Sequence, residues 1–214
     1  MPEPSRRRPY RSRVREDGAA RTRAAIVSAA RTLFVRDGYA GTSWDAVAEL
    51  AGVSRPTVVS AFGTKAALLS RVLDESLAGD DEPVAVRDRP WFQPVWMSTT
   101  PEQTLEAYAQ VCTLISRRAA DVVEALHRAA DSSPEVDALW EKWLVGRRAG
   151  AAMVVGHPPL ADAVRLRHSR ERAVDVLWTL NNPDLYLALV TRAGWDEDEF
   201  TTWLAETMGA TLLA

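Results

Sequence analysis

Residues 42–73 read TSWDAVAELAGVSRPTVVSAFGTKAALLSRVL, and they spell out three helix starts and two stops. Thr42-Ser43-Trp44-Asp45 has the S/T-x-x-D/E form of a helix start, with Thr42 as N-cap and Asp45 three residues on. The predicted helix covers residues 43–51 and ends at Gly52. Ser54 caps the next, with Pro56 in its first turn, where a missing N–H does no harm. That helix closes near Phe62-Gly63, and residues 65–77 form a third with Leu68, Leu69, Val72, Leu73 and Leu77 apolar. Two short helices about a tight Gly52-Val53 turn, together residues 43–62, have the form of a helix-turn-helix. In that motif the second helix enters a DNA major groove while the first crosses the backbone. The second helix here offers Arg55, Thr57 and Ser60 on one face and turns Val53, Val58 and Phe62 toward a core.

Upstream, Ile26, Ala29, Ala30, Leu33 and Phe34 recur at three- and four-residue steps, and Gly38 supplies the stop. Before them, MPEPSRRRPYRSRVREDG, residues 1–18, is rich in Pro and Arg and has no helical period. It reads as a disordered basic arm carrying Arg6, Arg7, Arg8, Arg11, Arg13 and Arg15. Charge is split along the chain. Residues 1–65 hold twelve Arg and Lys against six Asp and Glu, whereas residues 66–214 hold fourteen against twenty-three. A basic end on an acidic chain points to a polyanion partner.

Downstream, residues 79–100 break the helical pattern with Gly79, Pro83, Pro90 and Pro94, the expected place for a domain boundary or a lid. Helical spacing returns over residues 102–118, 121–130, 135–155, 160–167, 169–180, 183–192 and 196–213. No stretch alternates as a strand does, so the fold class is all-α. The domains read as the arm (1–18), a three-helix DNA-binding domain (19–78) and a helical domain (79–214).

Several function classes are disfavoured. No apolar run reaches the ~18 residues of a membrane helix, so no membrane partner is expected and the location reads as cytoplasmic. Cys112 is the single cysteine, and His127, His157 and His168 stand apart, so neither a disulfide nor a metal site is expected. No G-x-G-x-x-G, P-loop or G-x-S-x-G occurs, and neither catalytic residues nor a cofactor is expected.

The stretch 42–73 resembles the DNA-binding domain of the TetR family of bacterial transcriptional regulators. The family pattern is roughly T-x-x-x-I-A-x-x-A-G-V-S-x-x-x-x-Y-x-x-F-x-x-K-x-x-L. It is met by Thr42, Val47-Ala48, Ala51-Gly52-Val53-Ser54, Phe62, Lys65 and Leu68. The chain departs from it at Val59, where the family usually has Tyr, and at Ala61, often an aromatic or His.

The resemblance implies a double-stranded DNA operator as partner. Thr42 and Ser43 would face phosphate at a helix N-terminus, and Lys65 would be a second phosphate ligand. Ser54 belongs to the same set, with Arg55, Thr57 and Ser60 as candidates for base edges and the arginine arm along the backbone. It further implies a small-molecule pocket in the C-terminal helices and dimerisation through the last long ones. Trp91, Trp96, Tyr108, Trp140, Trp143, Met153 and Trp178 are the candidate walls of the pocket. Val176, Leu180, Phe200, Leu204 and Met208 are the candidate homodimer contacts. The function implied is a repressor released by a small molecule. The competing readings are an architectural DNA-binding protein without an effector and a helical ligand-binding protein with a vestigial helix-turn-helix.

Overall fold

The computed structural model describes residues 9–164 and 168–213, with side chains from Gly18 onward. It contains helices and no strand among these residues. The chain divides into two compact units, Met1–Val72 and Leu73–Ala214.

The first unit holds α1 (Pro9–Gly41), α2 (Trp44–Ala51), α3 (Arg55–Phe62) and most of α4 (Lys65–Ala78). Its core takes Ile26, Ala30, Leu33 and Phe34 from α1, Val47 and Ala48 from α2, Val58 from α3, and Leu68, Leu69 and Val72 from α4. Gly38 breaks α1 at φ 73, ψ 172, a conformation open essentially to glycine alone. Helix α1 begins at Pro9 rather than near residue 19. The part of the arm from residue 9 is therefore helical, not disordered: Arg and Glu, four of these ten residues, are strong helix formers, and Pro9 suits a first turn. With few apolar residues to repeat, this part of the helix is invisible to periodicity. Arg6, Arg7 and Arg8 lie outside the described residues, as do the side chains of Arg11, Arg13 and Arg15.

The second unit begins inside α4 rather than after it, and Leu73 and Leu77 line its cavity. It continues with α5 (Gln93–Met97), α6 (Pro101–Ala129), α7 (Pro134–Val155), α8 (Pro158–Val164), α9 (Arg170–Leu180), α10 (Pro183–Tyr186) and α11 (Glu197–Leu212). Its start signals are chemical and local. Thr100, Ser133 and Asn182 each cap a helix whose first residue is proline. Where two helices are expected over residues 102–130, α6 is a single rod. Ala119 and Ala120 are small and buried, and neither Gly nor Pro stops the helix there. α6 packs against α11, α10 and α7, and α7 packs against α9.

The connection before α6 is an ordered wall, not a lid. Phe92 and Val95 are buried in the core. Arg89, 3% exposed, donates to both carboxylate oxygens of Asp80 at 2.7 and 2.6 Å, to Val84 O at 3.0 Å and to Glu82 O at 2.9 Å. This guanidinium holds the Asp80 carboxyl below its ordinary pKa.

Candidate nucleic-acid interface and ligand cavity

The first helix of the motif is capped by Ser43, whose Oγ accepts from Ala46 N at 3.1 Å. Thr42, expected in that role and at phosphate, is 2% exposed and donates its hydroxyl to Gly38 O at 2.8 Å. The register slips by one because the hydroxyl of Thr42 closes the end of α1 instead. Gly52 turns the chain at φ 66, ψ 33; its N–H bonds Glu49 O and that of Val53 bonds Ala48 O. Ser54 then caps α3, accepting from Thr57 N at 3.3 Å and sharing a 2.8 Å bond with Thr57 Oγ1.

The outward face of α3 is only partly the expected one. Arg55, Pro56, Val59 and Ser60 are exposed, while Thr57 is half-buried with its hydroxyl engaged by Ser54. Helical spacing explains the difference: positions 55, 56, 59 and 60 share one side, and 57 turns away from it. Arg55 Nη1 lies 3.3 Å from Asp45 Oδ2 with both side chains more than half exposed, so a stronger acceptor can displace this pair. Val59 sits where the family pattern has an aromatic, and it is open to solvent.

Lys65 has a different task from the one expected. Its Nζ donates to Tyr39 O at 2.7 Å and Thr42 O at 3.1 Å, and lies 4.3 Å from the centroid of the Tyr39 ring. Burial lowers its pKa. Two of its three donors fix the α1–α2 corner, so the ammonium is a clamp first. No motif announces this, because both acceptors are backbone carbonyls twenty or more residues away.

The second unit encloses a cavity of about 420 Å³. Of the expected walls, Tyr108, Trp143 and Met153 line it; Trp91, Trp96, Trp140 and Trp178 do not. Trp96 stacks on Phe92 and donates Nε1 to Arg87 O, and Trp91 lies beside Arg118. Trp140 and Trp178 belong to a stack running His127, Trp140, Trp143, Arg147, Trp178. His127 and Trp140 rings are 4.3 Å apart, Trp140 and Trp143 5.0 Å, and the Arg147 guanidinium is 5.0 Å from both Trp143 and Trp178. Residues 140, 143 and 147 lie at i, i+3 and i+7 on α7, and this spacing builds the stack.

Arg147, which is outside the expected set, holds the polar end of the cavity. Its Nη1 donates to Trp178 O at 2.6 Å and Asn181 Oδ1 at 2.8 Å, and Asn181 Nδ2 donates to Tyr108 Oη at 2.8 Å. Arg147 Nε is buried with no acceptor. Burial raises the Tyr108 hydroxyl well above its usual pKa and pushes the Cys112 thiol up to about 12. Cys112 therefore sits in the cavity wall as a neutral thiol. The sequence signal for this end is the Arg at position 147 one turn past Trp143, a charge on an otherwise apolar helical stripe.

The expected dimer contacts divide. Phe200, Leu204 and Met208 are at most 2% exposed and face their own core, where α11 packs on α6. Apolar residues at three- and four-residue steps mark a buried face, and here α6 already covers it. Val176 and Leu180 are half-buried, as is Trp203 on α11.

Residues 26–72 match the family model of the bacterial regulatory proteins, tetR family. The HTH-type transcriptional repressor BdcR of Escherichia coli (strain K12) is 39% identical over 59 residues, a stretch that is 28% of this chain and 30% of that protein. The chain thus matches less than a third of that relative's length. Likeness of fold extends further. A Rhodococcus sp. protein assigned to the TetR family of transcriptional regulators superposes with a TM-score of 0.67 at 12% identity, covering 91% of this chain and all of that one. NalD, the secondary repressor of the MexAB-OprM multidrug efflux pump in Pseudomonas aeruginosa, gives 0.54 at 21% identity, covering 92% and 98%. Residues 26–72 and the helix-turn-helix they fold into thus match the tetR family of bacterial regulatory proteins, and the helical unit that follows shares its fold with the solved structures.

Proposed function

We propose that the protein binds a specific DNA operator as a homodimer, represses transcription there, and is released when a small molecule occupies the cavity of the second unit. The observation that carries this reading is the face of α3. A glycine turn and a serine cap hold Arg55, Val59 and Ser60 outward on a helix short enough to enter a major groove. Arg55 suits the O6 and N7 acceptors of a guanine, and Val59 suits a thymine methyl, an apolar contact that replaces the usual aromatic. The N-terminus of α2 beside exposed Ser43 offers free N–H groups to a phosphate. Lys65 fixes the α1–α2 corner that leads into the first of these helices. The relatives support the sense of regulation, since BdcR and NalD are repressors by name.

Dimerisation would use surface not already covered by the subunit's own helices: Val176 and Leu180 on α9 and Trp203 on α11. A ligand that prefers one arrangement of the dimer shifts the equilibrium between two states by its difference in affinity for them. Selection of bound sequences from random duplexes tests the proposal. A site with twofold-related halves, one or more helical turns apart, is expected. Equal binding to all duplexes would instead mark an architectural protein. Repeating the selection with small molecules present tests release.

A further inference from the structure

The cavity differs in charge from the unit that contains it. Residues 66–214 carry fourteen Arg and Lys against twenty-three Asp and Glu, yet the described charged residues lining the cavity are Arg87, Lys142 and Arg147 against Asp74 alone. Apart from Tyr108, Ser116 and Asn181 the rest of the wall is mostly apolar, with Phe92, Ile115 and Trp143 prominent. Among the described residues no carboxylate lies within ion-pair distance of Arg147, although other arginines of the unit, Arg89, Arg117, Arg128, Arg148 and Arg192, each have one. Two buried donors of the same stack, Arg147 Nε and Trp178 Nε1, have no acceptor. A buried guanidinium is stable only when its charge and its N–H groups are matched, and here carbonyl and amide oxygens match it only in part. Tyr108 and Asn181 extend the polar end with a hydroxyl and an amide.

We infer that the small molecule is an organic acid, an apolar body with one anionic head, bound with the head toward Arg147. This rests on the reading of the cavity as the effector site. The rings of Trp143 and Trp178 hold the guanidinium plane in place before the ligand arrives, so little side-chain freedom remains to be lost on binding. The apolar wall takes the body, and the cationic residues Arg87 and Lys142 favour entry of an anion.

The test is calorimetric titration of the full-length protein with matched pairs that differ in charge: decanoate against decanol, and 2-naphthoate against 2-naphthol. At least one acid should bind about tenfold to a hundredfold more tightly than its alcohol, the range of a charge-assisted hydrogen bond. Arg147→Met should remove that advantage and leave alcohol binding in place, and Arg147→Lys should keep part of it. Because Arg147 also ties α7 to Trp178 and Asn181, Arg147→Met is first checked for native helicity; the acid–alcohol comparison on the unaltered protein is decisive regardless. Alcohols that bind as tightly as their acids, or more so, overturn the acid and leave the cavity a ligand site. If neither pair binds at all, the effector-site reading itself falls.

Discussion

The two units carry function in opposite ways. In the first, every group proposed to face DNA from the helix-turn-helix falls within about twenty consecutive residues, on two short helices and the turn between them. In the second, the cavity wall is assembled from α4, the connection before α6, α6, α7 and the segment after α9, across more than a hundred positions. A groove-reading surface is a local object, fixed by caps, a glycine turn and the pitch of one helix. A cavity is what remains between helices packed elsewhere, so its lining follows from tertiary packing and carries no motif.

The largest effect is expected at α11. Replacing Leu204 and Met208 together by Lys places two charges in the core and should unfold the second unit, losing well over ~5 kcal/mol, rather than give monomers. Loss of cooperative melting by circular dichroism would show it. Val176→Glu with Leu180→Glu should leave helicity intact and halve the mass seen by sedimentation. A wild-type protein that sediments as a monomer at micromolar concentration rejects the dimer.

Next in size is the reactivity of Cys112. With its pKa at about 12, its thiolate fraction at pH 8 is roughly a thousandfold below that of an ordinary thiol. Iodoacetamide should modify it far more slowly in the native protein than in urea, and a native rate near the unfolded one would contradict a buried thiol. The sign for stability follows. Its folded pKa is raised, so its contribution is complete below the unfolded value near 8.5 and is lost as pH climbs toward 12.

Lys65 and Arg55 sharpen the contrast inside the first unit. Lys65→Met removes two charge-assisted bonds to backbone carbonyls and should cost about 2–3 kcal/mol of stability, with the salt dependence of DNA binding little changed. A drop of about one unit in the slope of log affinity against log salt would instead make Lys65 a phosphate ligand. Arg55→Ala should cost about 1–3 kcal/mol of binding at one base pair and little elsewhere. A uniform loss across operator variants would assign Arg55 to the backbone.

The smallest effect belongs to the amino terminus. Deleting residues 1–8 removes Arg6, Arg7 and Arg8 and should lower the salt slope by about 0.9 for each phosphate these arginines neutralise, with the preferred sequence unchanged. An unaltered slope would make the segment a solubilising one.

Legibility in the sequence follows the same division. Gly52, Ser54 and Pro56 announce their roles locally, and α2 and α3 lie where those residues place them. Within the motif, the departures from expectation arise from competition between neighbours: Thr42 has two possible tasks for its hydroxyl, and its bond to Gly38 O prevails over capping. In the second unit the class of element is legible and the facing is not. The stripe of Phe200, Leu204 and Met208 looks the same whether it meets a partner or α6, because periodicity reports burial without naming the surface that covers it. The same holds for the aromatics: Trp143 lines the cavity, whereas Trp140, three residues earlier on the same helix, lies off it against His127. Which ring borders a void depends on helix rotation, a quantity that composition does not hold.

The aromatic stack on α7 has an optical consequence. Trp140 and Trp143 lie 5.0 Å apart at 23° between planes, close enough for their indole transitions to mix and give a paired signal in the near-ultraviolet circular dichroism. One of the pair borders the cavity and the other leans on His127. An occupant that turns Trp143 by a few degrees changes the coupling directly. The protein thus contains its own unlabelled gauge of occupancy, readable without DNA, an attached dye or any substitution.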